Sequence, residues 1–159
     1  MRQSVEVFVG VLLAVLLHAV LGWLSPTALV IFNPFSWVVL YYSLWKQEVF
    51  GAFLGTVCGL LQDSLSLGIF GVSGLTKTLL GFGAGLISRK INVAPVTRNF
   101  VFVLIMATAE LILWKFLVLF LFGEKWGTAG GLVFLQPLGT AFVVTLLFQA
   151  RRKTLRESL

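Results

Sequence analysis

The chain has 159 residues, 58% of them hydrophobic and only 11% charged, with a formal net charge of +6 and a mean hydropathy of +1.01. Ordinary soluble domains carry about a quarter charged residues, and no water-soluble fold could bury this much apolar surface, which excludes a soluble enzyme or nucleic-acid-binding module. A span needs about 20 apolar residues to cross roughly 30 Å of hydrocarbon, so the length allows five or six spans and short connectors in one integral membrane domain.

The first apolar run, residues 5–24, is too long for a signal peptide, and no small-residue cleavage motif follows at Ser25-Pro26-Thr27, so it reads as a retained helix. It carries a weak small-residue stripe, Gly10, Ala14, His18 and Gly22, on which His18 reads as a hydrogen-bonded packing residue. The second span, 28–45, contains Pro34 after Asn33, and the missing backbone donor predicts a kink or a restart there. The third, 49–62, is only about 14 residues, too short to cross alone unless the bilayer thins or neighbours shelter it, which makes the 62–68 connector a candidate re-entrant segment.

Gly51, Gly55 and Gly59 follow one another at four-residue steps on the third span, and Asp63 is next on that face. The fourth span, 69–88, repeats the pattern with Gly81 and Gly85, and the same face traced backwards reaches Lys77, with Gly74 alongside. Such stripes let two helix backbones approach closely, which implies a compact bundle. The fifth and sixth spans are expected at 99–122 and 131–150, followed by a short basic tail, 151–159.

Basic residues test this map, because cytoplasmic loops carry an excess of Lys and Arg. With six spans and both termini inside, Arg2, Lys46, Arg89, Lys90, Arg98, Arg151, Arg152, Lys153 and Arg156 are all cytoplasmic and only Lys125 is external. The positive charge is therefore mostly a topology signal with contact to anionic lipids, not a sign of nucleic-acid binding.

Charges inside the spans carry more information, since each costs about 2.5–3.5 kcal/mol at the bilayer centre on the insertion scale. Lys77 and Glu110 fall at similar depth on consecutive antiparallel helices and can pair, fixing the register of the two; the functional alternative is a ligand or proton site between them. Pairing predicts that Glu110→Gln lowers stability more than Glu124→Gln. Lys115 lies nearer the external end and can snorkel outward. With one cysteine, Cys58, and one histidine, no intrachain disulfide, metal cluster or cofactor is expected.

Two strings mimic catalytic motifs. Gly71-Val72-Ser73-Gly74 matches the G-x-S-G of rhomboid intramembrane proteases, but no histidine follows Ser73, so the base would have to be His18 on the first helix. Gly71 through Thr78 resembles a phosphate loop, but Thr76 stands where glycine must precede the lysine.

The segment GAFLGTVCGLLQDSLSLGIFGVSGLTKTLLGFGAGLISRK, from Gly51 to Lys90, resembles the core of the bacterial rod shape-determining MreD family. The matching residues are Gly55, Gly59, Leu61, Asp63, Ser66, Gly71, Leu75, Gly81 and Phe82, while the family's usual glycine after the serine is here Leu67, with Gly68 one step later. Asn33-Pro34 and Trp37 resemble its Pro-containing second helix, and Pro137 lies in the last helix before the tail. The resemblance implies a non-enzymatic scaffold of the machinery that directs side-wall peptidoglycan synthesis, in the bacterial inner membrane. Its partners would be a membrane-anchored MreC-type protein and, through it, the MreB filament and the cell-wall synthase. A fold similar to the S components of energy-coupling-factor transporters is also implied.

On the scaffold reading, small-residue faces dock a partner helix and Asp63 shapes the external end, capping the next turn or accepting backbone donors. On the alternative reading, a vitamin-type ligand sits among Gln62, Asp63, Lys77, Glu110 and Gln136. A rhomboid-like protease is the third.

Overall fold

The computed structural model describes residues 2–66, 70–123 and 131–157, so Leu67, Gly68, Glu124 and Lys125 lie outside the described residues. Among the described residues the chain is all helical: α1 (Arg2–Leu24), α2 (Pro26–Ile31), α3 (Pro34–Trp45), α4 (Glu48–Leu65), α5 (Val72–Lys90), α6 (Val96–Phe122) and, after a 3-10 turn (Gly131–Leu135), α7 (Gln136–Glu157). Four stretches among the described residues are long and apolar enough to cross a membrane: Val5–Leu24, Thr27–Trp45, Val96–Leu121 and Val133–Thr154. The helices expected as the third and fourth spans are not among them, because their glycines and the polar Gln62, Asp63 and Lys77 lower the hydropathy.

The second span is broken in two. Asn33 sits in extended conformation, as the residue before a proline prefers, and its Oδ1 accepts the Ser36 N–H at 3.4 Å. Pro34 then occupies the first turn of α3, where its missing donor would have been unsatisfied anyway. Pro137 stands in the first turn of α7 for the same reason.

The third span corrects the expectation from sequence. The helix does not stop at residue 62 but runs 18 residues to Leu65, long enough at 1.5 Å per residue to cover about 27 Å. Gln62 and Asp63 lie in its last turns, not in a re-entrant connector.

Helices α3 and α5 hold the middle: α5 packs against α3, α4 and α6, while α3 also meets α1 and α7. Phe35, Val39 and Leu40 of α3, Cys58 of α4, Ala84 of α5, Val103 of α6 and Val144 of α7 form the buried core. Outward faces are apolar, with Phe8, Leu12 and Leu16 of α1, Ile105 and Ile112 of α6 and Phe142 of α7 exposed, the distribution a lipid environment requires. Helix α1 is the most peripheral span, with only 6% of its apolar window buried.

One end of the bundle gathers the basic residues. Arg151 of α7 bonds Glu6 of α1 at 3.0 Å and the Tyr41 hydroxyl at 3.3 Å, and its guanidinium lies 5.3 Å from the Trp45 ring centre. This contact puts the start of α1 and the end of α7 at the same end. Arg152 donates to the Ala94 carbonyl and Arg89 pairs with Glu48 at 2.9 Å nearby.

Candidate functional site

The glycines come first because they position everything else. Helices α4 and α5 run antiparallel with their backbones in contact. A Cβ added at Gly55 would overlap the Lys77 carbonyl, and one at Gly59 would overlap Ser73 and Gly74. Gly51 and Gly81 each occupy the other's space, and Gly85 lies against Glu48, whose Cα would be 2.7 Å from an added Cβ. Only residues without a side chain permit this approach. The stripes therefore face one another and leave no room on them for a partner helix. The weaker stripe of α1 is likewise turned inward, with Gly10 against the Tyr42 ring and Gly22 against Leu29.

That close seam carries Lys77 into the protein. Its Nζ is buried and paired with Glu110 Oε1, and it also donates to Ser36 Oγ at 2.7 Å. Ser36 in turn donates its hydroxyl hydrogen to the same Glu110 oxygen at 2.7 Å. One side chain from each of α3, α5 and α6 thus meets in a closed triangle, with both charges compensated as burial demands. The equal-depth argument identifies Lys77 and Glu110 but misses Ser36, which lies 41 residues from one and 74 from the other. Its only sequence signal is the Asn33-Pro34 restart, which fixes the α3 register.

Asp63 joins the seam at its end. Its Oδ2 accepts the backbone N–H of Gly71 at 2.8 Å and of Gly74 at 3.3 Å, so the last turn of α4 caps the first turn of α5. Gly71 has φ +96°, a left-handed conformation suited to glycine, although nothing would crowd a Cβ there. Removing the carboxylate leaves a buried donor at Gly74 and a part-buried one at Gly71 unsatisfied. Asp63→Ala is expected to lower stability by about 1–3 kcal/mol, and Asp63→Asn by less, in thermal unfolding of the purified protein.

Between these groups lies a cavity of about 220 Å³. Gln62, Asp63, Lys77, Glu110 and Gln136, far apart in sequence, all line it. It occupies the end of the bundle formed by the last turns of α4 and the first turns of α5 and α7, opposite the basic cluster. Its remaining wall includes Leu29, Leu111, Trp114 and Val133.

The catalytic mimics are placed otherwise. Ser73 is buried in the first turn of α5, while His18 lies 3.5 Å from Ser66 Oγ and packs its ring 5.2 Å from that of Phe35. Lys115 sits over the exposed Phe134 ring at 4.3 Å. No group of three or more metal-ligating side chains occurs among the described residues.

No curated protein and no solved structure matches the chain. A family model described as rod shape-determining protein MreD matches residues 1–151.

Proposed function

The chain belongs to the MreD family of rod shape-determining proteins, and from that premise we propose that it is a non-enzymatic scaffold of the complex that directs side-wall peptidoglycan synthesis. Family membership brings a role in rod-shape determination, and the four long apolar helices make it a membrane protein. The finer reading is a multi-pass protein of the bacterial inner membrane with both termini in the cytoplasm. It binds an MreC-type membrane protein, and through that protein the MreB filament and the cell-wall synthase.

The observation that carries this reading is a family match spanning nearly the whole chain. The disposition of the charges supports it, because Lys77, Glu110 and Asp63 each have structural work. Lys77, Glu110 and Ser36 hold α3, α5 and α6 together, and Asp63 holds α4 to α5. The shared end of Glu6 and Arg151, grouped with Arg89 and Arg152, suits the cytoplasmic face under the positive-inside rule. Because the glycine stripes are used internally, a partner helix is received on an outward apolar face, and the peripheral α1 offers the most open one.

The test is recovery of the MreC-type protein with tagged chain from native membranes, combined with cell shape after depletion. Co-recovery and rounded cells are expected. Rods that persist after depletion, with no partner recovered, would sink the proposal. Asp63→Ala separates the roles of the two ends: unchanged recovery and morphology would remove the cavity end from the partner surface.

A further inference from the structure

The buried triangle and the Asp63 cap do not use all the acceptors that line the cavity. Glu110 takes both Lys77 and Ser36 on Oε1, leaving Oε2 without a partner among the described residues. Asp63 takes both amides on Oδ2, which leaves Oδ1 in the same position. Gln62 Oε1 is buried with no hydrogen-bond partner among the described residues. A buried acceptor left unpaired is unfavourable, so Gln62 Oε1, with two carboxylate oxygens lining the same cavity, calls for a donor from outside the chain.

Charge points the same way. Two carboxylates against one ammonium give the cavity walls a formal charge of −1. The 220 Å³ volume exceeds the roughly 150 Å³ that accepts a benzene ring in an engineered cavity elsewhere. Leu29, Leu111, Trp114 and Val133 add apolar wall beside the acceptors, which suits an amphiphile better than a bare ion. The exposed aromatics Phe70, Trp114 and Phe134 belong to the cavity end of the bundle, the placement of side chains at the headgroup level of a bilayer.

We infer that this cavity binds a primary ammonium group, presented by the ethanolamine head of an aminophospholipid at the membrane face opposite the basic cluster. The N–H hydrogens go to Gln62, Asp63 and Glu110, and the alkyl portion lies against the apolar wall. A quaternary ammonium has the same charge but no N–H donor, so donor count rather than charge decides selectivity.

Native mass spectrometry of the full-length chain, offered phosphatidylethanolamine, phosphatidylcholine or phosphatidylglycerol with identical acyl chains, tests this directly. About tenfold better retention of phosphatidylethanolamine than of either other lipid is expected, the scale of one hydrogen bond to a charged group. Gln62→Leu deletes an acceptor that no group among the described residues uses, and should bring phosphatidylethanolamine down to the phosphatidylcholine level without lowering the unfolding temperature. Free ethanolamine in a parallel arm distinguishes the source: its binding without lipid discrimination assigns the same chemistry to a soluble amine. Equal retention of all three lipids with no ethanolamine binding, or undiminished selectivity in Gln62→Leu, overturns the inference and leaves the cavity to water.

Discussion

Glu110→Ala is expected to lower the unfolding free energy by about 3–5 kcal/mol, the usual effect of removing one partner from a buried ion pair. The loss arises less from the missing attraction than from Lys77, left charged and buried with only the Ser36 hydroxyl as acceptor. Glu110→Gln falls in between, since an amide oxygen can still accept from Lys77 and Ser36. Replacing both members together, Lys77→Leu with Glu110→Leu, should recover most of the stability, because no uncompensated charge remains. The control is Glu48→Gln at the half-exposed pair with Arg89, where a change within about 1 kcal/mol is expected. Reversible unfolding of the purified protein in mixed micelles measures all four. Equal effects at Glu110 and Glu48 would remove the buried triangle as an organising element.

Gly55→Val should be at least as damaging to folding, with a loss of about 3 kcal/mol or more, the upper range for overpacking. A side chain at residue 55 meets the Lys77 carbonyl and the Thr78 amide, which are helix backbone and cannot rotate aside. Separating α4 from α5 also pulls Lys77 away from Glu110 and Asp63 away from the amides it caps. Gly83→Ala is the matched control: its new methyl would meet only the tip of Met106 at 3.5 Å, ordinary contact distance, and a change within about 0.5 kcal/mol is expected. Size-exclusion profiles of the two variants, read before and after heating, distinguish them. A monodisperse, thermally unaltered Gly55→Val protein would refute the backbone-contact seam.

Much of this architecture was legible in the residues, for identifiable reasons. Long apolar runs mark α1, α6 and α7, and Asn33-Pro34 marks the restart, because proline's effect on the backbone is local. Lys77 and Glu110 stand out because charge is rare in such helices. Less could be read where the outcome depends on a distant partner. The run Gln62-Asp63-Ser64 looks like the end of a helix, yet α4 continues through it because Asp63 finds its donors on α5. A glycine stripe reads the same whether a neighbour or another protein covers it, and only the α4–α5 register shows that the neighbour does. Beyond the restart that sets its register, Ser36 gave no signal, because a lone serine in an apolar helix is ordinary until two buried charges are placed on either side of it.

The backbone seam also bears on how such a chain enters a bilayer. Neither α4 nor α5 has the hydropathy of an independent span, so neither would partition stably by itself. They are consecutive, antiparallel and in backbone contact, and the carboxylate at the end of one saturates the amides at the start of the other. Together they form a helical hairpin that satisfies its own closed end, while Lys77 draws its partners from α3 and α6, so this middle third is completed in the membrane only when those helices pack against the pair.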